Sequence, residues 1–267
     1  MFSITRFADT FTKELRENKR TLLMRVFVMT GIMCLFTLFI VFQRYEKYGT
    51  DPNRTADPLW ISMLGLFVWS IIIFGAISAS NLMKDMSDKQ SRLSTIMYPA
   101  SQLEKYLARW IIYIPLFLLT ALAACFLSDL LRYVICRSII PGSAIALKLI
   151  TPSELTDYIE QYEMWSEVNV FWMAVLFSQS LFALGSIFFQ KHPMAKTFIA
   201  VMLIATVYYI IGYVTYKIFD SGYWYNSGMI SGKPSMGLLW CLVIAGCIIN
   251  YALSYWRFRE SEIIQRW

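Results

Sequence analysis

The chain is poor in charge. Asp, Glu, Lys and Arg supply 16% of its 267 residues, while hydrophobic side chains supply 57%. A soluble domain carries roughly 25% charge and about 45–50% apolar residues. So large an apolar excess, with a mean hydropathy of +0.51, excludes a secreted domain, a cytosolic enzyme and a disordered chain. It points to a polytopic membrane protein. Histidine is nearly missing: the one residue, His192, cannot build a zinc site alone, and a structural or loop role suits it better. There is no H-E-x-x-H and no G-x-x-x-x-G-K-[ST], so neither a helix-borne zinc hydrolase nor a Walker nucleotide site is written here. No C-x-x-C occurs. Cys34, Cys125, Cys136, Cys241 and Cys247 mostly fall in apolar runs, where cysteine acts as a small buried hydrophobe rather than as part of a disulfide framework. No cofactor or metal is expected.

What is present in abundance is long apolar runs. A bilayer core needs ~20 mainly apolar residues per helix, and six runs qualify, at 22–43, 59–80, 108–128, 168–189, 198–218 and 237–257. They are continuous rather than alternating, which argues for helices over a β-barrel. The expected fold is therefore all-α, a single six-span domain over 1–267. No ionisable residue lies in the middle of any run, which argues against a proton-coupled pump, a voltage sensor and an acid-pair intramembrane protease. Arg25 and Arg109 sit near the inner ends, where they can snorkel. With the N-terminus inside, sixteen of the twenty-four bases fall on the inner segments and eight on the outer ones. That split favours two cytoplasmic termini. The excess of +6 is then a basic inner face, and no nucleic-acid partner is implied.

Between the runs, four segments carry organisation. Over 1–21, Ile4, Phe7, Phe11 and Leu15 share one helical face, which predicts an interfacial helix resting on the inner leaflet before the chain turns into the first span. In the inner loop 81–107, Ser101 and Glu104 form a capping box just after Pro99, so a helix starts at Ser101 and enters the third span. The outer insertion 129–167 holds a second box, Thr151 to Glu154 with Pro152 at the first helical position. An amphipathic helix over 152–165 follows, with Leu155, Tyr158, Ile159, Tyr162 and Trp165 on one side. Glu154, Asp157, Glu160 and Glu163 lie on the other side. Those carboxylates lack the spacing of an EF-hand loop, which favours a solvated acidic face over a cation site. In the last outer loop, 219–236, Tyr223, Trp224 and Tyr225 suit interfacial anchoring. Within the spans, Ser178, Gln179, Ser180 and Asn250 are the notable polar groups. They either pack helices together or line a translocation path. Gly185, and Gly75 with Ala79, permit close helix approach.

The stretch 83–110, MKDMSDKQSRLSTIMYPASQLEKYLARW, resembles the inner loop of bacterial permease subunits of the type-2 ATP-binding-cassette exporter family. The matching residues are Pro99, Ala100, Ser101, Glu104, Lys105 and Arg109. Six spans, cytoplasmic termini and an amphipathic N-terminal helix agree with that layout. The chain departs from it between the fifth and sixth runs, where many members carry a re-entrant hairpin and this sequence has a polar loop.

The resemblance implies a membrane-spanning half of an exporter in the bacterial inner membrane. Its partners would be a separate cytoplasmic ATPase subunit, a second permease half (a homodimer, or a heterodimer with a related half) and the bilayer. It also implies that 84–98 is the coupling element, with Asp88, Lys89, Arg92, Leu93, Glu104 and Lys105 contacting the ATPase. The chain itself would not be an enzyme. A scaffold or sensor that recruits a cytoplasmic partner without transporting a solute is the alternative from another class. A membrane-embedded lipid enzyme is the weakest, for want of a nucleophile–base set.

Overall fold

The first helix is much longer than one membrane crossing. In the computed structural model, which describes residues 3–48, 59–86, 97–139, 149–189, 191–219 and 236–264, α1 runs unbroken from Ile4 to Tyr48. Its 45 residues extend ~67 Å at 1.5 Å per residue, against a hydrocarbon core of ~30 Å. The expected turn between an interfacial helix over 1–21 and a span over 22–43 is absent. The join, around Lys19 to Arg25, contains no proline or glycine to break the ladder, so one rigid rod replaces two pieces.

Among the described residues seven further helices follow: α2 (Trp60–Ser80), α3 (Gln102–Tyr113), α4 (Pro115–Ile139), α5 (Pro152–Gln161), α6 (Trp165–Phe188), α7 (Pro193–Phe219) and α8 (Met236–Ile264). A short 3-10 turn, Lys84–Met86, lies beyond α2. No strand occurs among the described residues. Among the described residues six helical stretches are long and apolar enough to cross a membrane, so the chain is a multi-pass membrane protein. The segment expected to form the last outer loop, with Tyr223, Trp224 and Tyr225, lies outside the described residues.

The chain divides into two compact units. The first comprises residues 1–78 and 99–175. Its core joins Met29 and Met33 of α1, Met63 and Phe67 of α2, Ala124 of α4 and Val175 of α6. Small residues on α4 face methionines on α1, a combination in which flexible thioethers fill the gaps. The expected third span, 108–128, is two helices. Ile114 leaves the α3 geometry and Pro115 starts α4, because proline has no N–H to donate back and its ring collides with the preceding turn. The hydroxyl of Ser78 donates to the Tyr113 carbonyl at 2.7 Å and so gives the break a partner. The Arg25 guanidinium lies 5.2 Å above the Tyr113 ring.

Beyond residue 128, where an outer insertion was expected, α4 continues as helix to Ile139. This extension buries an ion pair. Arg132 Nε donates to Asp129 Oδ1 at 2.8 Å, with both side chains enclosed. Asp129 Oδ2 accepts from the Ile150 backbone N–H at 2.7 Å, which ties the approach to α5 onto α4. In α5, Thr151 caps the first turn by accepting from the Glu154 N–H. The helix stops at Gln161, short of the expected 165, because Glu163 adopts φ 52°, a conformation that ends a right-handed helix. Trp165 therefore opens α6 instead of closing α5. Trp60 turns inward, its ring 4.5 Å from that of Tyr158, which in turn lies 4.6 Å from Tyr162. The acids Asp157, Glu160 and Glu163 stay exposed.

The second unit comprises residues 79–98 and 176–267. Here α6 and α7 meet through a tight turn in which His192 holds φ 53°. A β-carbon at Gly185 would collide with the Thr197 side chain, so glycine is required for this approach. Gly246 of α8 similarly meets the Phe177 ring. The outer faces of α7 and α8 are apolar and open, with Leu203, Tyr208, Leu242 and Ile248 among the exposed side chains. Lipid is the environment that such a surface fits.

Two measurements follow from the buried pair. Replacing Asp129 by Ala deprives Arg132 of its carboxylate and should cost ~3 kcal/mol or more, seen as a lowered thermal midpoint in detergent. The double variant Asp129→Leu/Arg132→Met should unfold at a higher temperature than Asp129→Ala alone. A double variant less stable than the single one would contradict this account.

Candidate functional site

The site is assembled where the N-terminal end of α3 meets the first turns of α1, within the first unit. Ser101 caps α3 and completes the expected box. Its hydroxyl accepts from the Glu104 N–H at 3.3 Å, while Glu104 Oε2 accepts from the Ser101 N–H at 2.8 Å. The second oxygen of Glu104 is used elsewhere. Oε1 accepts from the Ser3 N–H at 2.8 Å and lies 3.8 Å from the Arg6 guanidinium. One carboxylate thus caps two helix starts, a favourable place for negative charge at both. Its side chain is fully enclosed.

Five residues on, Arg109 makes the second tie. Its Nε and Nη2 both donate to Glu14 Oε1, at 3.0 and 2.9 Å. Arg109 is 1% exposed, so it does not snorkel to solvent as its place near a span end suggested. Asn18 Nδ2 donates to the other Glu14 oxygen at 3.3 Å. The contacts run in order along both helices: Ser3 and Arg6 to Glu104, Glu14 to Arg109, Arg25 to Tyr113. Accordingly α1 lies parallel to α3 and is fastened to it at successive levels.

The apolar stripe picked out by periodicity does not supply the residues that tie α1 to α3. The apolar face of Ile4 and Leu15 remains exposed, and the buried positions are Thr10 and Glu14. Ser3, Phe7, Thr10, Glu14 and Asn18 recur at spacings of 4, 3, 4 and 4. That polar stripe is the signal that would have located the docking face. Glu14 and Asn18 drew no notice because each is ordinary in a charged segment.

Of the residues expected to contact an ATPase, Asp88, Lys89, Arg92 and Leu93 lie outside the described residues. Glu104 and Lys105 are described, and both are buried in the fold. The polar groups of α6 and α8 are brought together in part. Asn250 Nδ2 donates to Ser180 Oγ at 3.0 Å, within the second unit. Gln179 is buried, and its Nε2 finds no acceptor among the described residues. Ser178 is half-buried. No group of three or more His, Cys, Asp or Glu converges to hold a metal among the described residues.

The arrangement can do one thing mechanically. It fastens the start of α3 to a long helix, so that displacement of one displaces the other. No known family model, curated protein or solved structure matches this chain.

The strength of the weld is open to measurement. Arg109→Met and Glu14→Gln should each destabilise the detergent-solubilised protein by ~3 kcal/mol. The double variant should fall well short of the sum of the two. Strict additivity in denaturant or thermal unfolding would mean that the two side chains do not act as a pair. Removing the Asn250 amide by Asn250→Leu should have a much smaller effect, ~0.6 kcal/mol.

Proposed function

We propose that the chain is the membrane-spanning permease half of an ATP-driven exporter in a bacterial inner membrane, working with a separate cytoplasmic ATPase. In this reading both termini are cytoplasmic, and two such halves, identical or related, make one transporter. The segment 84–98 docks on the ATPase through Asp88, Lys89, Arg92 and Leu93. The observation that carries the reading is the double tie from the end of that segment to α1, through Glu104 to Ser3 and Arg109 to Glu14. A coupling element must deliver force to the spans, and a loop that ended on a free hinge would dissipate it. Here the loop leads into Ser101, whose helix is fastened to a 45-residue rod. Glu104 and Lys105 then act behind the docking surface, as transmitting groups rather than contacts.

The role of Ser178, Gln179, Ser180 and Asn250 divides on the same lines. Ser180 and Asn250 hold α6 to α8 through one hydrogen bond. Gln179, with an unmatched amide N–H, is the member of the set suited to a translocation path.

Co-expression with a candidate Walker-motif ATPase, sought first among the neighbouring genes, tests the proposal. Lys89→Glu/Arg92→Glu should lower copurification of the ATPase about tenfold. Glu104→Gln should leave copurification intact and reduce ATP-driven solute movement in vesicles. Unchanged copurification in the charge-reversed protein would remove the coupling assignment. ATP hydrolysis that never moves a solute would favour a scaffold instead.

A further inference from the structure

A groove of about 490 Å³ lies in the first unit, between α1 and the α3–α4 break. Its walls are mainly apolar, with Ile112, Leu116 and Phe117 on the far side from α1. Its polar character is lopsided. Arg16, Lys19 and Arg25 all line it, and no Asp or Glu does. The acids nearest in sequence are committed elsewhere, Glu14 to Arg109 at 2.9 Å and Glu17 to Lys13 at 3.8 Å. The cationic field of the groove is therefore not cancelled from within. The buried Nη1 of Arg25 finds no hydrogen-bond acceptor among the described residues. An unmet guanidinium N–H in such a place is costly unless an anion reaches it.

The position along α1 matters as much as the charge. Arg16 and Lys19 precede the apolar run that begins at residue 22, while Arg25 and Met29 lie inside it. The groove thus straddles the level where headgroups give way to acyl chains. We infer that it binds an anionic phospholipid of the surrounding bilayer, with the phosphate among Arg16, Lys19 and Arg25. An acyl chain then runs along Leu116 and Phe117. Neither charge nor apolar area alone selects this ligand. A soluble anion would leave the walls wet, and a lipid of zero net charge would leave the cationic field of the groove uncancelled. The inference is independent of transport and of the ATPase.

Native mass spectrometry of the full chain, released from micelles doped with phosphatidylglycerol and phosphatidylcholine of the same acyl chains, tests it. The protein should retain phosphatidylglycerol preferentially. Arg16→Gln/Lys19→Gln/Arg25→Gln should lower that retention at least about tenfold, since each base near the surface contributes to anionic-lipid affinity. Leu116→Trp, which fills the groove and keeps every charge, should lower it too. The charge-matched control Lys191→Gln/Lys196→Gln/Arg259→Gln should leave it unchanged. Should the triple variant fail to fold, Leu116→Trp together with the exposed-residue variant Lys19→Gln decides the matter. Retention unaffected by Leu116→Trp, equal loss in the control, or displacement of the lipid by glycerol phosphate as readily as by phosphatidylglycerol would each overturn the inference.

Discussion

Arg109 has no route to solvent. A guanidinium enclosed to that degree must find its anion inside the protein, because an unmatched buried charge costs several kcal/mol. The anion is Glu14, 95 positions away along the chain, and much else depends on that pairing. It requires the N-terminal turns of α1 to stand beside α3 rather than lie away on a membrane surface. It thereby requires α1 to continue straight through the level where a bend was expected. Glu104 adds a second tie one turn and a half earlier, by capping Ser101 and Ser3 together. The apolar edge of Ile4 and Leu15 is left outward, where lipid or detergent can cover it.

The proline at position 115 has the complementary effect. It breaks the third crossing into two helices, and the break is stabilised locally by Ser78 on the Tyr113 carbonyl and by Arg25 over the Tyr113 ring. The broken crossing borders a groove, and the bases on α1 make that groove cationic. Arg109, which fastens α1 at Glu14, and Lys13, which pairs with Glu17 along α1 itself, withdraw negative charge from it. Structural pairing and ligand selectivity are thus linked through the distribution of a few carboxylates on one helix.

Charge also shapes the far end of the first unit. Asp129 and Arg132 lie just beyond the apolar run ending at 128, and counting bases by side of membrane treated them as loop residues. Their spacing of three on a helix allows one to bond the other, and Asp129 still has an oxygen left for Ile150. Counting charges assigned them correctly as outside the middle of the run, but spacing could not say that the helix would carry them into an enclosed position.

How much was legible follows from where the information resides. The six crossings were readable because ~20 apolar residues in succession have almost no other use, and the helix starts at Ser101 and Thr151 because capping is a local bond between residues three apart. Gly185 was readable as a point of close approach, for no other residue lacks the atom that would strike Thr197. The docking of α1 on α3, the enclosure of Glu104 and Arg109, and the groove beside Arg25 were not readable. Each depends on a partner 88 or more positions away, and periodicity reports only what a helix offers, not which face its neighbours take. The sequence by itself determined that this chain crosses a membrane six times and where most of its helices begin. Only the tertiary structure decided which charges meet, because desolvated ions choose their partners by proximity in space.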